Sequence, residues 1–194
     1  MRTRSQTPTK LIHRRQTLEV PSAGARLVLV ADTHSAPHPE SAKHIAAQHP
    51  THILHAGDIG DLGVLDQLAK LSNVTAVRGN IDVHAHDLPD VITIDVRDLD
   101  GPLVTLLLVH IAVYGPKLRA EVAKLAHAEG ASIVVCGHSH VPFMGRDKGV
   151  VIVNPGSIGP RRFQLPIVFA TMDVSRERIS MQHVSCETGQ RWEP

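Results

Sequence analysis

Aromatic side chains, cysteine and net charge are all in short supply in this sequence, and each shortage excludes something. One Trp, one Tyr and three Phe leave little with which to stack bases, and a formal net charge of +1 supplies no field to grip a polyanion or an acidic membrane. A nuclease held to nucleic acid by a basic arm is therefore a poor reading. The two cysteines, Cys136 and Cys186, form no CxxC pair and are too few for a disulfide framework, which suits the reducing cytoplasm. No apolar run approaches the roughly 20 residues that a membrane-spanning helix needs. Arg2 and Arg4 are not followed by a hydrophobic block, so a secretory signal is not expected.

What remains is an ordinary globular composition, 42% apolar over 194 residues, consistent with one domain whose core rests on Val, Ile, Leu and Ala. Residues 1–25 are rich in Arg, Thr, Ser and Pro without a sustained apolar period and read as a flexible basic arm; residues 26–194 read as a single domain. Arg26–Ala31 is a continuous run of β-formers, as expected of a strand covered on both faces. Strands are expected at 51–56, 74–77, 132–136 and 150–153, and helices at 39–48, 62–71 and 117–129, the last stopped by Gly130. Two antiparallel hairpins are expected, 91–96 with 103–109 around Asp98-Leu-Asp-Gly101, and 167–174 with 178–184. Strands alternating with helices, plus hairpins, predict an α/β domain of two packed mixed sheets with helices outside.

Histidine is the unusual entry in the composition, with 14 copies. Four of them belong to polar clusters that end apolar strands: Asp32-Thr-His34, Gly57-Asp58, Arg78-Gly-Asn80-Ile-Asp82, His110, and Gly137-His138-Ser-His140. Taken singly, these fragments also read as turn formers, and His110 as a satisfied core histidine. Taken together, and on neighbouring parallel strands, they would converge on one rim, where open α/β sheets bind ligands. Two Asp, one Asn and four His offer only oxygen and nitrogen donors, a set for Mn, Fe, Zn or Ni rather than Ca. Seven donors exceed the needs of one tetrahedral zinc and suit two ions sharing a carboxylate. The alternate residues His138 and His140 would face the same way in extended chain.

In that order the motifs resemble the calcineurin-like metallophosphoesterase superfamily, and the short chain with Asn154-Pro-Gly-Ser157 and Pro160-Arg161 resembles its compact bacterial and archaeal phosphodiesterase branch, a fold shared by a retromer subunit. The resemblance implies a four-layer α/β/β/α sandwich. It implies one divalent metal held by Asp32, His34, Asp58 and His140 and a second held by Asp58, Asn80, His110 and His138, Mn²⁺ first among the candidates. Asp58, Asn80, Asp82 and His110 would form the catalytic set, with Asp82 orienting the ligands. Asn80, Arg161 and Arg162 would contact the substrate phosphate, and Asn154-Pro-Gly-Ser157 would be a loop under the site. Two positions depart from the pattern: Ile81 stands where many superfamily phosphatases carry a proton-donating His, and Ile111-Ala112 follows His110 where relatives often have Gly-His. The function so implied is hydrolysis of a small phosphodiester by a hydroxide bridging the metals. No membrane partner is expected, and a homo-oligomer is compatible with this reading. The rival is a metal-free interaction scaffold on the same fold, whose sequence mark would be lost ligands.

Overall fold

The computed structural model describes residues 11–193. Its elements begin with β1 (His13–Glu19), β2 (Ala25–Val30), α1 (Ser41–Ala46), β3 (His52–His55), α2 (Gly63–Ala69) and β4 (Val74–Ala76). A hairpin of β5 (Val91–Asp98) and β6 (Gly101–Val109) follows, then the small hairpin β7 (Val113–Tyr114) and β8 (Lys117–Leu118), α3 (Ala120–Glu129) and β9 (Ile133–Val135). The chain closes with β10 (Phe143–Asp147), β11 (Val150–Asn154), β12 (Val168–Val174), β13 (Ile179–Ser185) and β14 (Arg191–Trp192).

Two six-stranded mixed sheets result, ordered β1-β5-β6-β9-β11-β10 and β14-β13-β12-β2-β3-β4. Strand periodicity explains how they stack. Leu27 and Leu29 of β2, Leu54 of β3, and Leu106 and Leu108 of β6 point into the core between the sheets. Their neighbours Val28, Val30 and Ile53 face outward onto Ile45 of α1 and Val64 and Leu68 of α2. On the far side Leu107 and Val134 face Val122, Ala123 and Ala126 of α3. The central strands are covered on both faces, which is why they read as unbroken apolar runs. Each such Leu or Ile is worth about 2 kcal/mol in burial. The architecture is the α/β/β/α sandwich, and both expected hairpins are present.

Two expectations need correction. The flexible arm expected over residues 1–25 is a strand from His13 to Glu19, pairing in parallel with β5; residues 1–10 lie outside the described residues. Its sequence is polar because it is an edge strand, held by ion pairs of Arg15 with Asp95 and Glu129, while Leu18 packs on the intersheet core. The helix expected from Lys117 begins at Ala120, because Lys117 and Leu118 form β8 and the Leu118 amide donates to Asp147. Gly130 ends that helix in the left-handed conformation, as expected. Among the described residues no helix is long and apolar enough to cross a membrane.

Candidate metal centre

The five polar clusters come from both sheets. β2, β3 and β4 are parallel neighbours in one sheet and deliver Asp32, His34, Asp58 and Asn80 beyond their carboxyl ends. β6 and β9 are parallel neighbours in the other and deliver His110, His138 and His140. Backbone hydrogen bonds stitch the loops together: the amides of Asp32, His34 and Ser35 donate to the carbonyls of Gly57, Asp58 and Ile59, and Gly137 donates to His110. Asn154-Pro-Gly-Ser157 lies beneath, where the Ser157 hydroxyl donates to the Asp32 carbonyl at 2.8 Å and the Asn154 amide to the Gly137 carbonyl at 2.8 Å.

All seven expected donors meet. His34 Nε2 and His140 Nε2 are 3.1 Å apart, and His140 Nε2 is 3.5 Å from Asp32 Oδ1. On the other side Asn80 Oδ1 lies 3.1 Å from His110 Nε2 and 2.9 Å from His138 Nδ1. Asp58 stands between the two groups: Oδ1 is 3.2 Å from His110 Nε2 and Oδ2 is 3.8 Å from His34 Nε2. The geometry thus contains two clusters, Asp32 with His34 and His140, and Asp58 with His110 and His138, each with its donor atoms within 4.8 Å of one another.

The set fits divalent cations on its own chemistry. Asp32 Oδ1 is buried without a hydrogen-bond partner. Two imidazole nitrogens 3.1 Å apart can share at most one hydrogen, whereas a cation beside them would use both lone pairs. The His110 ring is fixed by Nδ1–H donating to the Ala56 carbonyl at 2.7 Å, which turns Nε2 toward Asp58 and Asn80. Burial pushes the Asp32 carboxyl up to about 7, against the opposing charge of His110. Burial also disfavours ionised Asp58, but the hydrogen bond and charge of His110, the Ile81 amide and His34 outweigh it and bring that carboxyl down to about 2. His34, His138 and His140 are pushed down, first by burial, His140 to about 4, so that they present neutral rings at pH 7.

Five of the seven donors, Asp32, His34, Asp58, His138 and His140, have positive φ, between 46° and 73°. The extended Gly137–His140 segment expected from alternation is therefore a left-handed turn that brings both rings to the site. Such conformations cost on the order of 1 kcal/mol each and cluster where function over-determines the backbone.

Asp82 is buried and its carboxylate accepts the amides of Ile59, Gly60 and Gly79 at 2.7–3.1 Å, clamping the Asp58 and Asn80 loops. Of the two expected substrate-binding arginines, Arg162 reaches His34 Nε2 at 3.2 Å. Arg161 does not reach the site: its guanidinium is taken by Glu187 and the Leu165 carbonyl. Ile81 is part exposed and contributes only its amide, to Asp58 Oδ1.

Sequence reasoning missed His55 and Thr33, which lie within strand-end runs and look like core. The Gly57 amide donates to His55 Nδ1, so the ring proton is on Nε2, facing Thr33 Oγ1 at 3.1 Å, and that hydroxyl donates to the Ile59 carbonyl. The chain ties the Asp32 loop to the Asp58 loop. Complete burial holds the His55 pKa down at about 4 from its ordinary 6.5. A depressed histidine pKa gives stability that is full above pH 6.5 and lost as pH falls through 6.5 toward 4, here about 3 kcal/mol. His55→Gln can keep both hydrogen bonds without titrating. Urea midpoints at pH 7 and pH 4 should therefore lie closer together in the variant, and an unchanged gap would show that His55 charges freely.

Comparison with known proteins agrees with this geometry. The family profile described as the calcineurin-like phosphoesterase superfamily domain matches residues 26–177. A probable metallophosphoesterase of Methanocaldococcus jannaschii is 31% identical over 106 residues, 54% of this chain and 52% of that protein, so the chain spans about half the length of that relative. Among solved structures, vacuolar protein sorting 29 of Cryptosporidium parvum superposes with a TM-score of 0.70 at 16% identity, covering 87% of this chain and 95% of that one. A predicted phosphoesterase of Streptococcus pneumoniae superposes with a TM-score of 0.62 at 18% identity, covering 84% and 91%. Identities this low speak for the fold alone. With the profile covering most of the chain and the site's donors assembled, this chain belongs to the calcineurin-like phosphoesterase superfamily.

Proposed function

We propose that the protein is a cytoplasmic phosphodiesterase working with two divalent cations, Mn²⁺ first among them and Fe, Zn or Ni as alternatives. The observation that carries this reading is the position of Asp58, whose two oxygens face different donor clusters. Asp32, His34, His140 and Asp58 would hold one cation, and Asp58, Asn80, His110 and His138 the other. When bound, the pair supplies a water of lowered pKa for attack at phosphorus and neutralises charge on the phosphoryl oxygens. The chain's own residues do the rest. The Ala56 carbonyl and the Asp82 clamp hold His110, Asp58 and Asn80 in place, and the His138 amide fixes Asp32 by donating to Oδ2 at 2.9 Å. Arg162 offers a guanidinium at the outer rim to a phosphoryl oxygen.

Charge favours a diester. Two divalent cations carry four positive charges, and Asp32 and Asp58 return two negative ones. The remainder is matched by one hydroxide and a singly charged diester; a dianionic monoester overshoots it by one charge, which the Arg162 guanidinium can supply, so the preference for a diester from charge is slight. The scaffold reading has less support, because every donor position carries a donor. To test the proposal, the Mn²⁺-loaded chain is assayed with bis(4-nitrophenyl) phosphate and 4-nitrophenyl phosphate. The diester should be turned over with kcat/KM at least about tenfold higher, and a chelator should abolish activity. A protein that binds two ions yet hydrolyses neither ester would be the scaffold.

A further inference from the structure

Asn80 is held at the metal centre by its backbone rather than by its side chain. Three other donors are fixed from outside the set: the Ala56 carbonyl takes His110 Nδ1–H, the Ile81 amide donates to Asp58 Oδ1 and the His138 amide donates to Asp32 Oδ2. Among the described residues the exposed Asn80 side chain bonds only His110 and His138, which are donors themselves. Its place depends on the chain that carries it. The last bond of that chain to β3 runs from the Val77 amide to the His55 carbonyl, and Asp82 takes the Gly79 amide. Between these two fixed points stands Arg78.

Arg78 is gripped twice. Its amide donates to the Pro89 carbonyl at 2.9 Å, and its guanidinium forks onto Asp90, Nε to Oδ1 at 2.7 Å and Nη2 to Oδ2 at 3.1 Å. The Arg78 side chain is only 17% exposed, which sets this pair apart from solvated surface pairs of little worth. Asp90 is tied in turn to the start of β1: the Ile12 amide donates to Asp90 Oδ2 at 2.7 Å, and the Ile12 carbonyl accepts the Asp90 amide at 2.8 Å. Ile12 lies outside the stretch that the family profile matches. Arg78, Asp90, Asn80 and His110 wall one hollow of about 270 Å³, so the ion pair stands directly beside the centre.

We propose that Arg78 and Asp90 are positioning residues for the cation assigned to Asp58, Asn80, His110 and His138, and that they tie the Asn80 loop to the start of β1. The inference rests on the two-cation reading above. A forked guanidinium sets the direction in which the chain leaves β4, and an error there carries the Asn80 oxygen away from the two histidines. Charge alone makes the opposite prediction, because removing a guanidinium this close to a cation would tighten cation binding.

Calorimetric titration with Mn²⁺ alone separates the two. The wild-type chain should take up two ions, and Asn80→Ala marks the step that belongs to its cation by weakening it. Arg78→Met, which keeps an aliphatic stem, should weaken the same step about tenfold and leave the other within about twofold. The retained step also shows that the variant is folded. Asp90→Ala should weaken that step too. Added to Asn80→Ala, Arg78→Met should cost less than about a further twofold, because Arg78 acts through Asn80. Arg15→Gln is the control: it removes the ion pairs of β1 with Asp95 and Glu129, away from this network, and should leave both steps within about twofold. The positioning role alone is overturned by a step unchanged or tightened in Arg78→Met, or unchanged in Asp90→Ala. It is equally overturned by a full tenfold added to Asn80→Ala, by equal weakening of both steps, or by the same loss in Arg15→Gln. Wild-type uptake of fewer than two ions removes the two-cation reading, and the positioning role with it.

Discussion

Asp58→Asn should lower phosphodiester turnover by on the order of 10³-fold and reduce Mn²⁺ stoichiometry from two toward one, while the fold survives. The substitution changes charge and little else. An asparagine Oδ1 can still accept the Ile81 amide, as the carboxylate does at 3.1 Å. Its Nδ2 then faces His34 where Oδ2 stood, 3.8 Å from Nε2, and presents hydrogens instead of a lone pair. The bridging position thus loses both its charge and one of its two donors. The fold survives at a modest cost: relief from burying a charge offsets only part of the lost pairing with His110, which together with its other partners outweighs burial at Asp58. Metal content by atomic emission, turnover of bis(4-nitrophenyl) phosphate and thermal unfolding check the three parts. Two bound ions with undiminished turnover would show that Asp58 does not bridge.

The legible part of this site was the part written in apolar runs. β2, β6 and β9 are covered on both faces and declare themselves by runs of Val, Ile and Leu, β3 by the shorter Ile53-Leu54 between two histidines, and the polar residues just beyond these strands are the site. The order of the motifs did not reveal that these strands divide between two sheets, since hydrophobic runs carry no record of their pairing partners. Nor did the sequence mark the left-handed turns. Glycine is the usual sign of positive φ, yet Asp32, His34, Asp58, His138 and His140 adopt it with full side chains, held there by hydrogen bonds from distant loops. β1 escaped for the opposite reason: its stabilisation lies in cross-strand pairs such as Arg15 with Asp95, 80 residues away, which no local periodicity can show. The choice between Arg161 and Arg162 was likewise decided by Glu187, 26 residues further along the chain.

The glycines before the ligands are legible in retrospect, and they carry the second large expectation. Gly57 and Gly79 precede Asp58 and Asn80, and the two loops cross at them: a Cβ on Gly57 would meet the Gly79 nitrogen at 2.7 Å. A Cβ on Gly79 would fall 2.1 Å from Asp58 Oδ1, 2.2 Å from Asp58 N and 2.8 Å from Asp58 Cα. Backbone atoms cannot yield as a flexible side-chain tip does, so Gly79→Ala must part the β3 and β4 loops. That displaces Asp58 and Asn80 together and pulls the Gly79 amide from Asp82, where it donates at 2.7 Å. The expected cost is roughly 3 kcal/mol or more, a fall in Tm on the order of 10 °C, with loss of two-metal binding. Gly63→Ala is the control. Gly63 opens α2, where the added methyl meets only the Asp61 carboxylate, at 3.2 Å, and the change should stay within about 1 kcal/mol. If calorimetric unfolding found Gly79→Ala as stable as Gly63→Ala, the loops would not touch as described. The Gly-Asn pair would then be simple turn chemistry rather than the point where two backbones must meet for seven donors to converge.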